Sequence, residues 1–159
     1  MNKAFSLYKE AAEAKNAVGM RFLGYCYEKG NGCEKDENKA FYWYNESAQL
    51  NNSGGIVSLG VCYELGIGCE IDLHQAFLLY KKGAESKNAS GMRFLGLCYE
   101  YGKGVEINID LAFYWYNESA KLEHPSAYIS LGLCYEYGKG VEIDKTKAFQ
   151  YYQMAANLN

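Results

Sequence analysis

The sequence predicts an all-α solenoid built from 36-residue helix-turn-helix repeats, about four of them after a leading half repeat. Three observations predict it. The pair Leu-Gly recurs at Leu23-Gly24, Leu59-Gly60, Leu95-Gly96 and Leu131-Gly132, always 36 residues apart and with no gap in the columns around it. Apolar and small residues within each unit follow a period of 3.6 and not 2. A Gly-x-Gly turn separates the two periodic segments of every unit, starting at Gly30, Gly66, Gly102 and Gly138.

Taken in chain order, residues 1–15 carry the second periodic segment alone. Ala4, Phe5, Tyr8 and Ala12 occupy the columns of Ala40, Phe41, Tyr44 and Ala48, so this stretch is expected to be the second helix of an incomplete repeat. Full repeats then span 16–51, 52–87, 88–123 and 124–159, all in one domain. The first helix of each is carried by a face such as Met20, Leu23, Gly24 and Tyr27, at i, i+3, i+4 and i+7. Asn16, Asn52, Asn88 and His124 precede these helices, where Asn caps free backbone amides, and Pro125 fits the first helical position that tolerates it. The second helices follow Asp36, Asp72, Asn108 and Asp144 and show the same spacing at Ala40, Phe41, Tyr44 and Ala48. A glycine inside a helix costs about 1 kcal/mol relative to Ala. Its recurrence in the Leu-Gly pair predicts close approach of the two helices of a unit, with Tyr and Phe of the second lying over the missing side chain. A double period of 72 sits on top: GMRFLG starts at Gly19 and Gly91, and FYWYNESA at Phe41 and Phe113.

These columns, and above all Ser126-Ala127-x-x-x-Leu131-Gly132-x-x-Tyr135-x-x-Gly138-x-Gly140-Val141-x-x-Asp144 followed by Lys147-Ala148, resemble the Sel-one-like repeat family, a relative of the tetratricopeptide repeat. The resemblance runs through practically the whole chain. It implies a right-handed α/α superhelical solenoid that serves as an adaptor or scaffold, without chemistry of its own. Cys33 and Cys69 depart from the pattern where Val105 and Val141 keep the usual residue, and Glu123 stands where a glycine is common.

Composition excludes several other classes. The 159 residues are 49% hydrophobic and 22% charged, ordinary globular usage, with sixteen Tyr as the outlier. A net charge of -3 gives no electrostatic footing for nucleic acid. Apolar stretches fall far short of the ~20 residues a membrane helix needs, and the opening MNKAFSLYKEAAEAK lacks a secretory apolar core. A cytoplasmic location without a membrane span is the expectation.

The chemistry-bearing residues do not converge. Four of the six cysteines share one column, Cys26, Cys62, Cys98 and Cys134, and read as small buried hydrophobes; Cys26 with Cys33 is the pair that remains open to pairing. No Cys-x-x-Cys occurs, so no metal and no cofactor is expected. His74 and His124 stand at unrelated columns and read as exposed. The Gly-Lys-Gly turns at Gly102 and Gly138 follow a helix and lack the Ser or Thr of a phosphate loop. Four Asn-x-Ser motifs, at Asn45, Asn51, Asn88 and Asn117, read as coincidence. No catalytic residue is predicted. A hydrolase reading rests only on activities claimed in a cysteine-rich branch of the family resembled and ranks last.

Analogy with tetratricopeptide repeats places the first helices on the concave side. A protein or peptide ligand would then meet Arg21, Phe22, Tyr25 and Glu28 from repeat one, Val57, Val61 and Glu64 from repeat two, Arg93, Phe94, Leu97, Glu100 and Tyr101 from repeat three, and Leu133, Glu136 and Tyr137 from repeat four. Lys29, Ser58, Leu65, Ile129 and Ser130 border them. Aromatic anchors beside fixed charges suit peptide recognition. The same columns also fit packing of Phe22 and Phe94 between neighbouring first helices and solvation of helix ends by the glutamates. Self-association through the terminal helices is the alternative role.

Overall fold

The computed structural model describes residues 3–158. Among them the chain is all helix and turn, with no strand: α1 (Lys3–Glu13), α2 (Ala17–Lys29), α3 (Glu37–Gln49), α4 (Ser53–Leu65), α5 (Leu73–Glu85), α6 (Ala89–Tyr101), α7 (Ile109–Ala120), α8 (Pro125–Tyr137) and α9 (Lys145–Asn157). The helices gather in two compact units, one up to Gly83 and one from Ala84.

Capping explains where the helices begin. Asn16, Asn52 and Asn88 accept hydrogen bonds from the amides of Gly19, Gly55 and Gly91, and Asp36, Asp72, Asn108 and Asp144 do the same for the second helices. His124 departs from its column: its side chain caps nothing, and Pro125 at the first helical position leaves one fewer amide to satisfy. The first helices stop where Gly30 (φ 72°) and its counterparts adopt the left-handed conformation, and Gly32 (φ 81°) repeats it two residues later.

The first unit has two adjoining cores. Phe5, Ala12, Met20, Leu23 and Cys26 pack α1 on α2, and Ala40, Tyr44, Ala48, Ile56, Leu59 and Cys62 pack α3 on α4. In the second unit Ala112, Tyr116, Ala120, Ala127, Leu131 and Cys134 unite α7 and α8. Every repeat brings its helices together at the Leu-Gly glycine. A methyl group there would fall 2.8 Å from Tyr44 at Gly24, 2.7 Å from Tyr80 at Gly60 and 2.5 Å from Tyr116 at Gly96, and Gly132 meets Tyr152 in the same way. The partner is Tyr in all four, where Tyr and Phe had been expected together. The phenylalanines point onward: Phe41 and Phe113 lie beneath Gly68 and Gly140 of the following turns.

Serine adds a hydrogen bond between the two helices of one repeat. Ser47 Oγ, fully buried, donates to the Ala17 carbonyl at 2.6 Å, and Ser119 Oγ to that of Ala89 at 2.7 Å. Both serines belong to Asn-x-Ser motifs and are taken up by packing.

Candidate protein-interaction site

The glutamates of the first helices are built into the repeats. Tyr44 Oη donates to Glu28 at 2.7 Å, and Tyr80, Tyr116 and Tyr152 donate to Glu64, Glu100 and Glu136, each at 2.6 Å. Each ring thus lies across the glycine of its own unit and fastens its hydroxyl one turn further along the first helix. Burial first, and then these carboxylates, push the Tyr44 and Tyr116 hydroxyls far above their ordinary range, and Tyr152 up to about 12. The second oxygens of two glutamates are also engaged, Glu28 by Lys29 and Glu100 by Lys139, each at 2.6 Å. Burial raises the Glu100 carboxyl, but hydrogen bonds from Lys139, Tyr116 and Tyr101 outweigh it and hold it below its ordinary value.

The remaining predicted positions divide by exposure. In the first unit Tyr25 is exposed and Arg21, Phe22 and Val61 are half-buried. Val57, expected at the surface, is buried at 6% exposure. Its column lies along the seam between α2 and α4, where the Arg21 stem reaches Gly54, and a short branched side chain there has no length with which to reach solvent. In the second unit Tyr101, Leu133, Tyr137 and Ile129 are exposed, Arg93, Phe94 and Leu97 half-buried, and Ser130, also expected at the surface, is buried with its hydroxyl turned back to the Ser126 carbonyl.

Aromatic stacking shapes a recess on the first unit. Phe22 stacks on Tyr8 with centroids 5.0 Å apart, and the Arg21 guanidinium lies 4.1 Å above the Phe22 ring. Tyr8, Phe22 and Tyr25 then line a cavity of about 280 Å³ floored by Phe5 and Cys26. Arg93 repeats the arrangement over Phe94 at 5.6 Å. The sequence pattern alone missed Tyr8, because it belongs to the incomplete leading repeat; its place in the column of Tyr44 was the available signal.

The thiols are structural. None of the six cysteines forms a disulfide, and burial pushes Cys62 and Cys134 up to about 12, away from thiolate chemistry. Cys33 and Cys69 turn their Sγ toward the carbonyls of Cys26 and Cys62, at 3.5 and 3.4 Å. His74 is exposed, whereas His124 is half-buried against expectation, because its ring tucks under the start of α6 with Nε2 3.0 Å from Ser90 Oγ. Among the described residues no group of three or more His, Cys, Asp and Glu side chains is arranged to hold a metal ion. No helix there is long and apolar enough to cross a membrane.

Paired helices of fixed length and glycine contacts at one position per unit define an α/α repeat protein. The Sel1 repeat model matches residues 1–16, 17–52, 55–88, 89–124 and 125–159, and the chain belongs to the Sel1 repeat family. Proteins of this family are in general non-catalytic interaction scaffolds. A Sel1 repeat protein from Oxalobacter formigenes is 33% identical, with a TM-score of 0.83 over 91% of this chain and 59% of its own. A protective antigen of uropathogenic Escherichia coli with the same repeat fold, c5321, is 30% identical, with a TM-score of 0.86 over 100% of this chain and 34% of its own. Cysteine rich protein B of Helicobacter pylori is 29% identical, with a TM-score of 0.61 over 79% of this chain and 90% of its own. The chain therefore spans 59% and 34% of the length of the first two. Comparison with curated proteins gives no match.

Proposed function

We propose that this chain is a non-catalytic interaction module that binds a protein or peptide through the face formed by its first helices. The observation that carries the reading is the aromatic recess of Tyr8, Phe22 and Tyr25, with the Arg21 guanidinium over the Phe22 ring beside it. Large, rigid rings beside a delocalised cation are the side chains that dominate protein recognition, and they cost little conformational entropy to immobilise. Exposed Tyr101, Leu133 and Tyr137 offer similar material on the second unit. The glutamates contribute by holding the face rigid.

The test is affinity capture from native cell extract with the intact chain and with Tyr25→Ala combined with Tyr137→Ala, both exposed rings whose removal leaves the cores intact. A partner captured by the intact chain and lost from the double variant, with helical content and thermal midpoint unchanged, is the expected result. Equal recovery by both would remove the first-helix face as the site.

A second reading, self-association, is favoured by Phe149. Its counterparts Phe41 and Phe113 are covered by the next turn, whereas Phe149 is 61% exposed and opens with Ala148 and Tyr152 onto a cavity of about 210 Å³. Another copy of the chain presenting a repeat edge would cover it.

A further inference from the structure

The two copies of the 72-residue block differ on the outer side of the second helix. In both, adjacent aromatic rings meet nearly at right angles: Tyr42 and Trp43 with centroids 5.0 Å apart at 75°, Tyr114 and Trp115 at 5.1 Å and 77°. Both have a glutamate one turn further on, Glu46 and Glu118. In the second copy Lys121, on the surface, places its ammonium on Glu118. In the first copy the residue corresponding to Lys121 is Gln49, and Glu46 has no cationic partner among the described residues. Beside Glu46 the first copy has a cavity of about 350 Å³ lined by Met20, Tyr42, Trp43, Glu46 and Gln49, with Glu13 and Lys15 also contributing.

Two perpendicular rings and a carboxylate are the chemistry that receives an organic cation: ring faces attract positive charge, and the carboxylate supplies a charge-assisted hydrogen bond. Glu13 and Glu46 outweigh Lys15 by one negative charge, and Glu13 is only loosely engaged by Lys9 at 3.9 Å. We propose that the cavity between α1 and α3 binds an alkylammonium group, the lysine side chain of a partner protein, with Tyr42 and Trp43 facing the cation and Glu46 accepting its proton-bearing nitrogen. The occupant is named by the second copy, in which the corresponding glutamate, Glu118, is met by a lysine of its own chain, Lys121. The inference rests on the interaction-module reading for the source of the lysine, but the site is testable without any partner.

The experiment is a titration of the full chain with Nα-acetyl-lysine N-methylamide, followed through the two tryptophan indole resonances and assigned with Trp43→Phe. The Trp43 resonance is expected to move to saturation while Trp115 stays, and the neutral Nε-acetyl analogue to move neither. Glu46→Gln should weaken binding about tenfold, equivalent to ~1.4 kcal/mol. Gln49→Lys, which restores the residue of the second copy, should abolish it while leaving the Trp115 resonance and helical content unchanged. Lys15→Asn, which removes the opposing charge, should tighten it. A static Trp43 resonance, an equal response to the neutral analogue, undiminished binding by Gln49→Lys, or binding seen only in Lys15→Asn would each overturn the proposal. None of these outcomes depends on Tyr25 or Tyr137, so failure here and failure of the first-helix reading are distinguishable.

Discussion

At the residue scale the decisive pair is the glycine that admits a tyrosine ring and the glutamate that receives its hydroxyl. Half of this was legible. A helical Gly repeated four times announced a close approach, and the Tyr column at the matching height supplied the ring. The glutamate was not legible as a partner, because by residue type it reads as a surface charge, although at i+4 from the glycine it shares the face that meets the second helix. One signal was present: a column that holds Tyr in all four repeats and never Phe implies a fixed hydrogen bond for the hydroxyl. The Glu100–Lys139 ion pair extends this contact and yields a pH prediction. Glu100 is held below its ordinary value of 4.5. A depressed carboxyl contributes stability that is fully present above the unfolded value and lost as pH falls through the folded one. Lys139→Met should therefore lower stability at pH 7 by about 1 kcal/mol, discounted for the partly exposed ammonium. The gap between variant and parent in urea denaturation should close as pH falls below 4.5 toward the lowered folded value.

At the scale of the element the ends of the helices divide into those the sequence announces and those it hides. Asn and Asp caps and Gly-x-Gly turns were readable by residue type. The ends of the second helices were not, because Lys15, Asn51, Lys87 and Glu123 adopt left-handed φ values of 59°, 56°, 56° and 55°, and of the four only Asn51 is of a type that favours it. Backbone hydrogen bonds over the turn impose the conformation: Asn16 N reaches the Ala11 carbonyl, and Asn52 N that of Ser47. The departure of Glu123 from the family's common glycine therefore falls on a strained position. Glu123→Gly should raise stability by about 1 kcal/mol, seen as an increased urea midpoint with unchanged slope. No gain would mean that the Glu123 side chain compensates its own backbone. His124 shows the opposite limit of residue-type reading, since a column of capping Asn was continued by a residue that turns its ring into the protein.

For the whole molecule, a repeat read from periodicity gives the class of fold with little help from any single residue, because each column is tested four times. Surface function has no such redundancy. Arg21, Val57, Arg93 and Ile129 share one column and yet are half-buried, buried, half-buried and exposed, so column logic cannot say which position meets a partner. Phe149 is the clearest case: it is 61% exposed, whereas Phe41 and Phe113 in the same column are half-buried. If copies of the chain associate through it, the intact protein should show concentration-dependent mass in sedimentation, and Phe149→Lys should be monomeric across the same range. A monomeric parent would leave that surface to some other occupant.

Each tyrosine closes onto a glutamate sixteen residues earlier, inside its own repeat. A duplicated stretch of 36 residues would thus arrive with its principal fastening, and the glycine fit beneath it, already made. Such an array grows by copying without a new core having to be invented. The near-identical GMRFLG and FYWYNESA blocks, 72 residues apart, are the mark that this mode of growth leaves in a sequence.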